Sequence, residues 1–242
     1  MYKQYTLVFG TSADPIHAGH IDLVVEASKA LQQKGIALTQ VMIVPVYRRN
    51  PIWKERKGDL PLTFEQRFAM CELAAEDISH RLQGRVVQVF ASRLEEKLVK
   101  SLEKPNYTAR TLEVMREVVS PQTGFVFLLG EDAVSGEEPL FGQWYQVETI
   151  IQLALLALCP RPGYVANQAF IKELQTKGAQ LIRLDGVVTR DIASSQIKIR
   201  LADGEDPLRL HHEGLLSEAI ALYIKDHDLA ATWGESESAG KE

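Results

Sequence analysis

Six short apolar runs, at 5–10, 40–46, 85–91, 124–130, 153–159 and 180–184, alternate along the chain with helical periodicity near 18–34, 63–80, 107–119, 139–151 and 166–177. A strand that is apolar at nearly every position has no wet face, so both sides of its sheet are covered. Strands of that kind separated by amphipathic helices specify an α/β fold, a doubly wound, Rossmann-like parallel sheet with helices on both faces. Right-handed crossovers place the C-terminal ends of the strands on one side, and ligands bind there, where the strand order reverses. The pattern continues through helical segments over 192–202 and about 213–226. No internal repeat or linker divides residues 1–228, which read as one domain. Residues 229–242, ending Gly-Glu-Ser-Glu-Ser-Ala-Gly-Lys-Glu242, show no apolar period and are expected to be disordered.

The first strand-to-helix turn carries the densest chemistry. After the apolar run at 5–10 come Thr11, Ser12, Ala13, Asp14, Pro15 and Ile16, then His17-Ala-Gly-His20 and a helix with Ile21, Val24, Val25 and Leu31 on its inner side. A helix N-terminus at a sheet edge offers unpaired backbone N–H groups and the positive end of the helix dipole, which suits a phosphate. Two imidazoles three residues apart share one face of that turn. Structural capping is the plain alternative. A metal pair is a third, opposed because zinc takes three or four protein ligands and neither Cys71 nor Cys159 stands in ligand-like spacing.

The 242 residues carry a net charge of −5, so there is no broad basic field and no nucleic-acid partner is expected. The longest apolar stretch, 149–159, is too short to span a bilayer, and no targeting segment is evident at the N-terminus. Two cysteines in apolar surroundings fit a reducing compartment. A cytoplasmic protein without membrane contact is the expectation.

Phe9-Gly-Thr-Ser-Ala-Asp-Pro-Ile-His-Ala-Gly-His20 resembles the F-G-G-T-F-D-P-I-H-x-G-H of bacterial nicotinate-nucleotide adenylyltransferases, members of the H-x-G-H nucleotidylyltransferase superfamily. Thr11 stands in place of the second Gly and Ala13 in place of Phe. Val44-Pro45, followed by Arg48, Arg49 and Lys54, is similar to the family's P-x-x-x-P-P-H-K, with Trp53 before the lysine. Glu65, Arg67 and Met70 match E-x-R-x-x-M, although a solvated helix residue is the commoner fate of such an Arg. Tyr107-Thr108 with Thr111-Leu112 matches Y-T-x-x-T-L. Gly130, Asp132 and Trp144 follow G-x-D…W at a longer spacing, and Arg161-Pro-Gly-Tyr164 matches R-P-G-Y. Ile192-Ala-Ser194-Ser195-Gln-Ile-Lys198-Ile-Arg200 resembles I-S-S-T-x-I-R-x-R, with Lys198 where the family has Arg.

The resemblance implies adenylyl transfer from ATP to nicotinate mononucleotide, giving deamido-NAD and pyrophosphate, with Mg²⁺ arriving on ATP and no all-protein metal site. It implies that His17, His20 and Lys198 are catalytic. ATP would be held by these three with Gly10, Thr11, Ser12, Gly130, Asp132, Ser194, Ser195 and Arg200, the two serines capping a second helix. Lys54, Thr108, Trp144 and Arg161 would bind the acceptor. The alternatives are nicotinamide mononucleotide or another phosphate acceptor, and a catalytically weak nucleotide-binding protein, made credible by Thr11, Ala13 and Lys198.

Overall fold

The computed structural model describes residues 2–49, 59–83, 85, 87–102, 106–188 and 190–238. Six strands form one sheet: β1 Gln4–Thr11, β2 Leu38–Pro45, β3 Gln88–Ala91, β4 Thr123–Gly130, β5 Ala154–Cys159 and β6 Leu181–Arg183. Every pairing is parallel and the order is β3-β2-β1-β4-β5-β6. The expected doubly wound fold is what forms. Alternation along the strands explains why their apolar runs are continuous. Leu7 and Phe9 of β1 and Val126 and Leu128 of β4 enter one core layer, whereas Val8, Phe125, Phe127 and Leu129 enter the other.

Helices α1 Ala18–Gln33 and α2 Phe64–Arg81 cover the first layer with Val24, Val25, Met70 and Ile78. Helices α3 Leu94–Leu102, α4 Thr108–Val118, α5 Val147–Leu153 and α6 Gln168–Thr176 follow, and Leu112, Met115, Ile150 and Ile171 fill the second. Four helices close the chain: α7 Ser194–Ala202, α8 Pro207–His212, α9 Glu218–Asp226 and α10 Leu229–Ser238. β1 and β4 are neighbours whose onward connections run to opposite sides, so the crevice lies beyond Thr11 and Gly130. No helix among the described residues is long and apolar enough to cross a membrane.

Several boundaries differ from the expectation. Strand β3 is four residues long rather than seven, and α3 has no counterpart in the apolar pattern. The helix expected over 139–151 is two pieces, a 3₁₀ turn at Leu140–Gln143 and α5, because Phe141 is drawn into the core and Gln146 takes a left-handed φ of 51°. The helix expected from 213 is α9 alone, set apart from α8 by Gly214 at φ 77°. The segment expected to lack order from 229 instead contains α10, which packs on α7 and buries Leu229 and Trp233. Spaced four residues apart, these two share one helical face, and that stripe suffices once α7 is there to receive it.

Candidate active site

His17 is the N-cap of α1, in extended backbone, and His20 lies one turn on. Their rings stack with centroids 3.8 Å apart. A Cβ at Gly19 would stand 3.2 Å from the His17 ring, so the glycine of H-x-G-H is what lets that imidazole lie against the helix. The main-chain N–H of His17 donates to His20 Nδ1 at 3.3 Å, which leaves the ring proton of neutral His20 on Nε2, a donor. Nδ1 of His17 is buried without a hydrogen-bond partner. Burial, then the charges of neighbours, pushes both pKa values down: His17 to about 2, with His20, Arg161 and Arg190 adding to the effect, and His20 to about 4, with Arg161 adding. Both rings are neutral at physiological pH. The amide of Ala18 is taken by the carbonyl of Leu215 and that of His17 by His20, so the imidazoles supply donors here that the backbone does not.

Between β1 and α1, the hydroxyl of Thr11 accepts from the N–H of Ala13 at 3.1 Å. The positive φ of this loop, 53°, falls on Ala13, while Thr11 is the last residue of β1 and is not strained by its Cβ. Gly10 is exposed at the end of the strand. Arg67 is 1 % exposed, far from a solvated helix residue. Its guanidinium donates to the carbonyls of Leu62 (3.3 Å), Ser12 (2.9 Å), Val46 (2.6 Å) and Tyr47 (3.0 Å), tying the β1–α1 loop to the chain after β2.

The helix carrying the serines starts one residue earlier than the capping assignment requires. Ala193 is the N-cap of α7, Ser194 and Ser195 lie in its first turn, and neither side chain caps it. Ser194 Oγ donates to the carbonyl of Pro15 at 3.1 Å and so pins α7 to the β1–α1 loop. Lys198 Nζ donates to buried Asp14 Oδ2 at 3.1 Å. Arg200 points elsewhere: its fork is filled by Glu205 at 2.6 Å and 2.5 Å and by Glu213 at 2.7 Å, and these carboxylates raise its pKa. Two residues along a helix is about 200° of rotation, which puts Arg200 away from the face of Lys198. Asp132, just after Gly130, pairs with Arg161 at 2.7 Å. Arg161 lies close enough to the histidines to act on both rings and does not line the cavity that holds Thr108 and Trp144.

That cavity, about 410 Å³, opens beside the same loop. Gly10, Thr11 and Ser12 line it from β1 and the loop that follows, Tyr107, Thr108 and Trp144 from the start of α4 and the chain before α5, and Arg48 and Arg49 from the chain after β2. Lys54 and Trp53 lie outside the described residues. Tyr107 is the N-cap of α4 and Thr108 opens its first turn, whose amides have no intrahelical acceptor. Trp144 is held edge-on by Phe127 and Phe141, with centroids 6.0 Å and 5.3 Å away. Its Nε1 is buried and unpartnered, as is Asn106 Oδ1. Glu95 beneath them accepts from the N–H of Tyr47 at 2.8 Å and from Asn106 Nδ2 at 3.4 Å, and burial pushes its carboxyl up. The sequence alone does not single out Asp14, Glu95, Arg190 or Trp233. Asp14 lies inside the quoted motif, and that was the available signal.

A 3-2-1-4-5-6 parallel sheet with paired imidazoles at the first helix N-terminus, opening on a separate aromatic cavity, defines a nucleotidyl-transferring α/β enzyme. Residues 8–200 match the cytidylyltransferase-like family. The chain belongs to that family and, within it, to the nicotinate-nucleotide adenylyltransferases. A relative from Dehalococcoides mccartyi named "Probable nicotinate-nucleotide adenylyltransferase" is 31% identical over 233 residues, covering 95% of this chain and 98% of its own. One of the same name from Shigella boydii is 29% identical over 241 residues, with 94% and 99% covered. The structure of Plasmodium falciparum nicotinic acid mononucleotide adenylyltransferase complexed with NaAD superposes with a TM-score of 0.67 at 17% identity, covering 95% of this chain and 98% of that one, a likeness of fold.

Proposed function

We propose that the protein joins ATP and nicotinate mononucleotide into deamido-NAD and pyrophosphate. A phosphate oxygen of the mononucleotide attacks the α-phosphorus of ATP in line, a P–O bond forms, and the bond to the β-phosphate oxygen breaks with pyrophosphate leaving. The nucleophile is already ionised near neutral pH, so no general base is needed and catalysis is positioning plus charge stabilisation. His17 and His20 act as neutral donors to the phosphates, and Lys198 supplies positive charge. The backbone of Gly10, Thr11 and Ser12, the end of β4 at Gly130, and the first turn of α7 at Ser194 and Ser195 line the nucleotide's path. Asp132 and Arg161 flank the histidines as a pair.

The observation carrying this reading is that the Thr108–Trp144 cavity is lined by Gly10, Thr11 and Ser12 where β1 ends, and the imidazole pair stands where the same connection enters α1, so a transferring phosphorus and an acceptor phosphate meet along it. Trp144 offers a stacking face for a pyridine ring, and the first-turn amides of α4 meet a carboxylate. Asp14 and Asp132 are each bound to a cationic side chain, and no group of three metal-ligating side chains occurs among the described residues. That donor set fits a Mg²⁺ held by the triphosphate and water, neutralising phosphate charge. A second reading, nicotinamide mononucleotide as acceptor, is favoured by Asn106 Oδ1, a buried acceptor that a carboxamide NH₂ satisfies and a carboxylate does not. Incubation with ATP, Mg²⁺ and nicotinate mononucleotide, with pyrophosphate and dinucleotide quantified, tests the proposal. Stoichiometric release of both supports it, and ATP binding without turnover on any mononucleotide refutes it.

A further inference from the structure

Helix α10 lies beyond the residues matched by the family, yet it reaches the phosphate loop. Trp233 is 2 % exposed and its Nε1 donates to Asp14 Oδ1 at 3.1 Å. Asp14 Oδ2 accepts from Lys198 Nζ at 3.1 Å, and the carboxylate is itself 3 % exposed. We infer that Trp233 is a positioning residue for ATP: acting through Asp14, it fixes where Lys198 presents its ammonium to the triphosphate. The inference rests on the reading of Lys198 as a phosphate contact.

A carboxylate turns easily about its last torsion, so an aspartate holding only a lysine follows that lysine as it moves. The indole N–H holds one oxygen and thereby fixes the plane of the other. Trp233 is also a neutral donor. Asp14 already acts on Arg49 and Arg67, raising their pKa values against the lowering by burial, and a fourth cation would compete for it. An ammonium has three N–H donors, so Lys198 bonded to Asp14 keeps two for phosphate oxygens, and its side chain is 27% exposed. A guanidinium carries its orientation in a rigid fork, whereas an ammonium on a flexible stem takes orientation from its surroundings. With Lys198 at this position, the anchor beneath it has that task.

The test uses the full chain with W233F, K198A and the double variant. ATP affinity is read by calorimetric titration with a non-hydrolysable ATP analogue, and KM is measured separately for ATP and for the acceptor. W233F is expected to weaken ATP binding and raise its KM about tenfold, with the acceptor KM unchanged and no further loss in the K198A background. W233H, which keeps a ring N–H, restores part of the loss. D14N, of nearly unchanged volume, gives the same ATP-specific defect and replaces W233F should that variant not fold. A lowered Tm with wild-type ATP affinity in W233F, or losses that add in the double variant, overturns the inference. Unchanged ATP affinity in K198A removes the phosphate contact and the inference together, whereas loss in K198A without loss in W233F removes the inference alone.

Discussion

Arg67→Met separates a loop-holding guanidinium from a surface charge. Four backbone carbonyls, those of Leu62, Ser12, Val46 and Tyr47, accept from this side chain within 3.3 Å, and the residue is 1 % exposed. A hydrogen bond from a charged donor contributes about 1.5–3 kcal/mol net, so four give roughly 6–12 kcal/mol before the buried charge is considered. Desolvation of the guanidinium takes several kcal/mol back, which leaves about 3–5 kcal/mol, the scale for removing one partner from a buried charged cluster. In a chain of this length 1 kcal/mol moves Tm by about 2–4 °C, so a fall of about 6–20 °C is expected by scanning fluorimetry. Ser12 and Val46 both line the cavity, so kcat/KM should fall at least about tenfold at temperatures where the variant is fully folded. Arg67→Lys should recover little, because one ammonium lacks the fork that reaches both loops. A Tm unchanged within about 2 °C together with unchanged kcat/KM refutes the reasoning.

His17→Asn and His20→Asn should each lower kcat by about 10²-fold, the effect of losing a preorganised donor, as read by steady-state pyrophosphate release; near-normal turnover in either contradicts the assignment. Both folded-state pKa values lie below the ordinary histidine value of 6.5, at about 2 and about 4. The unfolded chain therefore binds more protons below pH 6.5, and stability should fall as pH drops from there toward 4, with a slope of up to about 1.4 kcal/mol per pH unit for each histidine. Urea titrations at pH 7 and pH 5 should show the loss, and the double Asn variant should show less of it. Trp144→Ala should raise the KM for the mononucleotide about tenfold or more through lost stacking while leaving the KM for ATP unchanged; equal effects on both would place Trp144 outside the acceptor site.

Where the sequence spoke through local chemistry, it was legible. Strands apolar at nearly every position could only be two-sided, and the doubly wound parallel sheet followed; that the order reverses at β1 and β4 came from the structure. His17, His20 and Thr108 lie in contiguous motifs at element ends, and their placement followed from those elements, whereas Trp144 stands between the two pieces of a helix expected to be continuous. What stayed hidden depends on contacts between distant segments. Arg67 reads like any helix-face arginine until the carbonyls of Ser12, Val46 and Tyr47 close around it. Arg161 matches an acceptor-side motif, yet Asp132, 29 residues earlier, holds it beside the histidines. Arg200 looked available until Glu205 and Glu213 filled its fork. Trp233 sits in a polar tail whose single apolar face emerges only against α7, 219 residues from the carboxylate it holds.

The central claim is best tested by kcat/KM for nicotinate and for nicotinamide mononucleotide, measured side by side with saturating ATP and Mg²⁺. The first-turn amides of α4 favour the carboxylate through the helix dipole, about 0.3–1 kcal/mol, and through hydrogen bonds to a charged group, about 1.5–3 kcal/mol. Together they predict a preference for the acid of very roughly 20- to 1000-fold, narrowed by Thr108→Ala. Equal or reversed preference in the unmodified protein would contradict the assignment of the acceptor and shift weight to the unpartnered Asn106 Oδ1, and no pyrophosphate from either substrate would contradict adenylyl transfer itself.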